Sequence, residues 1–422
     1  MLQKIQDSNS RIEVESEAPG LVNEAFRRLI SGRQRPVALE CAIDTWGRKA
    51  PVVLPDTAAQ RDPCPVDNDA LERAAKLLGS ADRPMIVIGG GAMDAGEHVK
   101  AIAEMLDAPV MVGRMGQGAL DGRHRLSVTM PAGYRFWGEA DVVLAVGTRL
   151  QAALQNWGVD DGLKIIRIDI DGEEIERQRK PEIGIVGDAA ACLKVLAGKL
   201  GRYNKKRNGR AEAVAETKAA AIKRIRDTIG PQIAYLEAIR AALPEDGILV
   251  DELTQMGYAA RLAYPTYKPR TFLSMGYQGT LGWGYATSLG VKVAKPDTPV
   301  VSISGDGGFL FTAMEMSTAA KNSIGVVAVV FSDGAYGNVR RIQQQSFKGR
   351  TIASDLHNPD FVKLGESFGV ASERVNGPHE LGAAISRGIA KGGPVLIDCP
   401  VGELPDPWPL VQVPRIRPPR RS

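Results

Sequence analysis

Pro299-Val300-Val301-Ser302-Ile303-Ser304-Gly305-Asp306-Gly307-Gly308-Phe309 decides how this chain is read. Pro299 suits the first residue of a strand, and Val300 to Ile303 form a β-branched-rich run of the kind buried on both faces of a parallel sheet. The run breaks into three glycines around one carboxylate. Beyond it, Phe311, Met314, Glu315, Thr318 and Ala319 are spaced as an apolar stripe with a polar edge, which predicts a helix. Strand, glycine turn and helix start make a phosphate site, because helix N–H groups face an anion that glycine lets come close. A bare carboxylate at Asp306 would repel that anion unless a hard cation bridges the two, as Mg2+ does by taking carboxylate and phosphate oxygens together. Metal and phosphate are therefore expected as one unit.

The next strand strengthens this. Val326 to Phe331 is a second buried run, and it ends at Ser332-Asp333-Gly334-Ala335-Tyr336-Gly337-Asn338. Neighbouring strands of a doubly wound sheet end on one edge, so Asp306 and Asp333, 27 positions apart, converge on one ion. Two carboxylates, a backbone carbonyl from this loop, two phosphate oxygens and a water complete an octahedron. Upstream lie the glycine-rich stretch Gly276-Tyr277-Gln278-Gly279-Thr280-Leu281-Gly282-Trp283-Gly284 and the loop Asp251-Glu252-Leu253-Thr254-Gln255, which follows the strand 247–250.

Composition fits an enzyme of several domains. The 422 residues imply two or three domains, and 44% hydrophobic residues suffice for substantial cores. A net charge of +4, from 53 basic and 49 acidic residues, predicts no nucleic-acid partner. The basic cluster Lys205-Lys206-Arg207 and the tail arginines Arg415, Arg417, Arg420 and Arg421 read as solvated. Cys41, Cys64, Cys192 and Cys399 lack Cys-x-x-Cys spacing and read as reduced thiols of a cytoplasmic protein. No apolar run is long enough for a membrane span, and the polar start argues against a signal peptide. None of the four histidines falls near a motif with metal-ligand spacing.

Gly305-Asp306-Gly307 followed by Asp333, together with the two upstream loops, resembles the thiamine-diphosphate-dependent enzymes, specifically the acetolactate-synthase-like (large subunit) group. The resemblance covers nearly the whole chain. It implies an α/β fold of doubly wound parallel sheets, and a lyase or transferase that decarboxylates or joins 2-keto acids or aldehydes. It further implies thiamine diphosphate and Mg2+, with Asp306, Asp333 and the carbonyl of Ala335 as metal ligands. Cofactor contacts are implied on the turn Gly305, Asp306, Gly307 and Gly308, and on Asp333, Ala335, Tyr336, Gly337 and Asn338 of the second loop. Gly279, Leu281 and Gly282 form the segment whose apolar residue, here Leu281, wedges between the two cofactor rings, while Leu253, Thr254 and Gln255 touch the diphosphate. Bending the cofactor brings its imino nitrogen to the thiazolium C2 proton, making the deprotonation intramolecular. Two departures stand out. Asp333 replaces the usual Asn, and Asn338 and Ile342 stand where acetolactate synthases carry a Met and a Trp that shape the acceptor pocket. The second departure argues against a true acetolactate synthase.

In chain order, residues 1–12 are expected to be irregular, followed by a helix over 18–29 and a strand over 36–41. Residues 1–50 are similar to the end of the family's pyrimidine-binding domain, and 51–68 form a linker. Alternating helices and strands over 69–200 predict a six-stranded Rossmann-like central domain, with 201–228 as a charged connector, 229–413 as the diphosphate and Mg2+ domain and 414–422 as a tail. Some relatives bind FAD or ADP on the central domain and others have lost the site; Gly147-Thr148-Arg149-Leu150 and Asp169-Ile170-Asp171 occupy strand ends where such a ligand would lie, while Gly89-Gly90-Gly91-Ala92 fails Gly-x-Gly-x-x-Gly at Asp94, so FAD binding and an empty structural domain both stay open. The family's activating glutamate has no counterpart among Glu13, Glu15, Glu17, Glu24 and Glu40, so the chain alone is expected to be inactive. A homodimer, a homotetramer or a partner chain supplying the missing domain is implied. The competing expectations are a non-catalytic fragment, that is a pseudoenzyme or regulatory subunit, and an NAD- or FAD-binding oxidoreductase, the latter disfavoured by Asp306 and Asp333.

Overall fold

The computed structural model describes residues 8–207, 210–276 and 278–418. Tyr277, the first seven residues of the expected irregular start and the tail arginines Arg420 and Arg421 lie outside the described residues. The described chain opens with a βαβ unit, in which Ser8–Ile12 (β1) lies parallel to Val37–Cys41 (β2) and the helix Ala18–Ile30 connects them. Strand β1 corrects the expectation of irregular structure through residue 12. A stretch with one apolar residue has no periodicity to read, and its backbone pairing with β2 decides its conformation.

The central sheet contains Pro84–Ile88 (β3), Val110–Val112 (β4), Ser127–Val128 (β5), Val142–Val146 (β6), Lys164–Asp169 (β7) and Ile183–Val186 (β8). These strands run in the order β5-β4-β3-β6-β7-β8, all parallel. Every residue of β3 and β6 is buried, as continuous apolar runs require when helices cover both faces. Strand β5 has two residues, too few for a period, and was not among the strands the sequence pointed to.

The C-terminal sheet contains Ile248–Val250 (β9), Phe272–Leu273 (β10), Val300–Gly305 (β11), Val326–Ser332 (β12), Ala371–Arg374 (β13) and Val395–Pro400 (β14). Its order is β10-β9-β11-β12-β14-β13, again parallel throughout. Val301 and Ile303 pack into the core on one face and Val300 into the core on the other. The chain leaves β9 for β10 on one side and returns to β11 on the other. The carboxyl ends of β9 and β11 therefore flank a topological switch point, where open α/β sheets bind ligands.

Three further expectations are corrected. The helix after the glycine turn is broken into Asp306–Phe309, a 3-10 turn Ala313–Glu315 and Met316–Lys321. Thr312, with φ −132°, donates its hydroxyl to Gly282 O at 3.1 Å, and Phe311 and Met314 are 56% and 64% exposed instead of packed. The cluster at 205–207 is not simply solvated: the Arg207 guanidinium donates to Leu78 O, Gly79 O and Ala81 O, capping the helix Asn68–Ser80. In the tail, Arg417 is buried, donating to Trp137 O at 2.7 Å and Asp160 Oδ1 at 2.6 Å. The connector over 201–228, expected to be helical or flexible, is helical from residue 210 within the helix Arg210–Ala242, which is interrupted at Ile229 two residues before Pro231. A proline there lacks an N–H and restricts the chain ahead of it.

Candidate functional site

Three loops meet at the switch-point edge, from the ends of β9, β11 and β12. Asp306 is the first residue after β11 and is 2% exposed. Its Oδ1 accepts from Gly307 N at 2.8 Å; its Oδ2 accepts from Asp333 N at 3.2 Å, Gly334 N at 2.7 Å and Asn358 Nδ2 at 2.7 Å. The two loops are thus tied through one carboxylate. Asp333 Oδ1 accepts from Ala335 N at 3.1 Å, which fixes the turn. Burial holds the Asp333 carboxyl above the usual carboxylate range, and the negative charge of Asp306 raises it further. A buried and a half-buried carboxylate that repel each other fit a divalent cation, and the buried, unpartnered Asn358 Oδ1 adds a neutral oxygen beside them. No cluster of three or more histidine, cysteine, aspartate or glutamate side chains stands ready for a metal among the described residues, so a cation here would take its donors from this pair and from backbone or amide oxygens.

The glycines of the turn are required by what lies against them. A Cβ on Gly307 would stand 2.4 Å from Tyr336 Cε1, and one on Gly308 would stand 2.3 Å from Glu252 Oε1 and 3.6 Å from Leu281 Cδ2. These distances place Tyr336 over the turn and Leu281 beside it. Thr254 precedes the helix Gln255–Ala263 and lies 3.5 Å from the Cβ position of Gly305, while Leu253 Cδ1 lies 3.4 Å from that of Gly279. Gln255 Oε1 is buried without a partner. Gly279 and Gly282 have φ values of +62° and +82°, which favour glycine.

Not every expected residue joins this cluster. Asn338 Oδ1 accepts from Trp408 Nε1 and Arg341 Nη2, both at 2.9 Å, so its side chain serves the network with the C-terminal segment. Asn358 and Glu252 belong to the site without having been singled out. Asn358 lies 52 positions from Asp306 in a turn of ordinary composition, and nothing local signals its contact.

The central sheet has its own switch point between β3 and β6. Gly91 N donates to Gly147 O at 3.1 Å and Gly147 N to Ile168 O at 2.9 Å. A Cβ on Gly89 would stand 2.4 Å from Gly147 O, so these glycines let two turns pack. Asp171 Oδ2 is taken by Arg33 and Arg35 of the N-terminal unit, at 2.8 and 2.9 Å.

The loops after β9, β11 and β12 thus converge at the switch point of a parallel sheet, the place where open α/β folds receive ligands. Comparison with known proteins makes the class specific. The profile of the C-terminal TPP binding domain of thiamine pyrophosphate enzymes matches residues 253–399, and that of their central domain matches residues 71–196. A probable acetolactate synthase large subunit of Methanococcus aeolicus is 30% identical over 426 residues, covering 92% of this chain and 71% of that protein. A probable 2-ketoarginine decarboxylase of Pseudomonas aeruginosa is 32% identical, covering 90% and 69%. A 2-hydroxyacyl-CoA lyase of Arabidopsis thaliana is 30% identical, covering 90% and 72%. The chain belongs to the thiamine pyrophosphate enzyme family and is homologous to acetolactate synthase large subunits.

Proposed function

We propose that this chain binds thiamine diphosphate with Mg2+ and serves the decarboxylation or carboligation of a 2-keto acid or aldehyde. The observation that carries the reading is the joining of the β11 and β12 loops through Asp306 at the switch point. In this reading Asp306, Asp333 and the carbonyl of Ala335 hold the metal. The turn from Gly305 to Gly308, with Thr254 and Gln255, receives the diphosphate, and Leu281 supports the bent cofactor. Bound thiamine diphosphate supplies an electron sink for cleavage next to a carbonyl. The chain's own residues bind, orient and shield it. Relatives named for acetolactate, 2-ketoarginine and 2-hydroxyacyl-CoA chemistry support a carbonyl substrate of this class.

Residues 69–200 and 229–413 act as separate domains in this reading, and the first is structural instead of a flavin site. Gly89 N and Gly91 N of the β3 turn are spent on Val146 O and Gly147 O, and Gly147 N on Ile168 O, which supports that assignment. Exposed Phe311, Met314, Val339, Ile342 and Phe347 near the site support an oligomer that covers them. No helix among the described residues is long and apolar enough to cross a membrane.

Calorimetric titration with thiamine diphosphate, with and without MgCl2, tests the binding. Metal-dependent binding is expected, and binding that ignores Mg2+ would overturn the ligand assignment. CO2 release from a panel of 2-keto acids, by the chain alone and with a separately supplied pyrimidine-binding domain, tests the chemistry. No release in either case would remove the enzymatic reading.

A further inference from the structure

Glu252 is fully buried and is the second residue beyond β9. Among the described residues no lysine, arginine or histidine pairs with it. A carboxylate in the interior without a cation is costly unless its oxygens are filled by donors. They are: Oε1 accepts from Gly282 N at 2.6 Å, and Oε2 from Gly284 N at 3.1 Å and Ser304 Oγ at 2.9 Å. One side chain therefore joins the loop after β9, the segment that carries Leu281, and β11, the strand that leads into Asp306.

We infer that Glu252 is a positioning residue that clasps the Leu281 segment and sets the direction in which Leu281 points. The inference rests on the reading of Leu281 as the residue under the cofactor. Gly282 N belongs to the same rigid peptide unit as the Leu281 carbonyl, so anchoring that N–H fixes the plane from which the Leu281 side chain departs. The second anchor, at Gly284, prevents rotation about the first. The surrounding glycines follow from the clasp. A Cβ on Gly284 would stand 2.8 Å from Glu252 Oε2, and one on Gly308 would stand 2.3 Å from Oε1. A general acid or base would need an oxygen free for substrate, and both oxygens of Glu252 are occupied. Burial holds its carboxyl above the usual range even against three donors, so this anchor is kept at a cost to the fold.

Glu252→Gln tests this in the 422-residue chain. An amide places an NH2 where the carboxylate accepted an N–H, so one of the two backbone anchors must be lost. Hydrogen–deuterium exchange of a peptide covering 281–285 should accelerate by at least about tenfold, the weight of one hydrogen bond to a charged group, while a peptide on β12 stays unchanged. Thiamine diphosphate affinity in saturating Mg2+ should fall by about tenfold or more in the same protein. Unchanged exchange at 281–285 would overturn the inference, and so would faster exchange with parental affinity. Ser304→Ala removes only the third donor and should leave the exchange of 281–285 near the parental rate; an acceleration equal to that of Glu252→Gln would mean general loosening instead of a clasp. Should Glu252→Gln not fold, Glu252→Asp, one methylene too short to reach both anchors, is read in the same two assays. Leu281→Ala separates the underlying reading: if it leaves affinity and turnover unchanged, the role of Leu281 fails while the exchange result still reports on Glu252.

Discussion

Replacing Asp306 by Asn is the most informative single change. The side chain keeps its shape, but the charge goes, and one oxygen becomes an NH2. Asp306 Oδ2 faces three N–H donors and Oδ1 one, so an amide in either orientation sets a donor against a donor. Bonds to a charged acceptor contribute about 1.5–3 kcal/mol each, and orphaned buried donors cost about 1–3 kcal/mol. Relief of repulsion with Asp333 offsets part of this, leaving a stability loss of about 2–4 kcal/mol. The loss in cofactor binding follows from a different quantity, the removal of one of two anionic metal ligands. It should weaken thiamine diphosphate binding in Mg2+ by well over tenfold, more than about 1.4 kcal/mol. Thermal unfolding reads the first effect and calorimetry the second. The distinguishing sign is metal dependence: affinity for thiamine diphosphate should climb with Mg2+ in the parent and stay nearly flat in the variant. A folded Asp306→Asn protein with parental affinity and parental Mg2+ dependence would refute the metal assignment and reduce Asp306 to a turn residue.

Other consequences can be checked independently. Arg417→Ala strips buried bonds to Trp137 O and Asp160, so chemical denaturation should show a loss of about 2–4 kcal/mol, and a change under about 0.5 kcal/mol would mean the tail is not anchored. Burial pushes the Cys192 thiol up to about 11 and that of Cys399 to about 12. At pH 8 about one Cys192 in a thousand is thiolate, so a thiol reagent should modify half-exposed Cys41 and Cys64 quickly and the other two only on unfolding. Glu252 also gives a pH signature. A folded pKa raised above the unfolded one contributes stability fully at acid pH and loses it as pH rises through the folded value. The stability deficit of Glu252→Gln relative to the parent should therefore be widest below the ordinary carboxylate range and shrink as pH rises above it, and urea titrations showing the reverse slope would contradict the burial argument.

Much of the fold was legible because its signals are local. Val300 to Ile303 and Val326 to Phe331 read as buried strands because parallel sheets covered on both faces demand continuous apolar runs. The glycine turn around Asp306 punctuates the chain by its own backbone freedom. Even the approach of Asp333 to Asp306 could be read from spacing, since neighbouring parallel strands end on one edge. What the local signals could not carry was decided by distant partners. Ser127–Val128 is a strand only because β4 pairs with it, and the segment after Asp306 breaks because Thr312 bonds to Gly282, 30 positions away. Arg417 reads as a tail charge until the carbonyls of Trp137 and Ala140 meet it across the central domain. Glu252 shows the division most plainly. Its type and place were visible in the loop after β9, but its role lies in donors 30, 32 and 52 positions onward, which only the folded chain brings to one carboxylate.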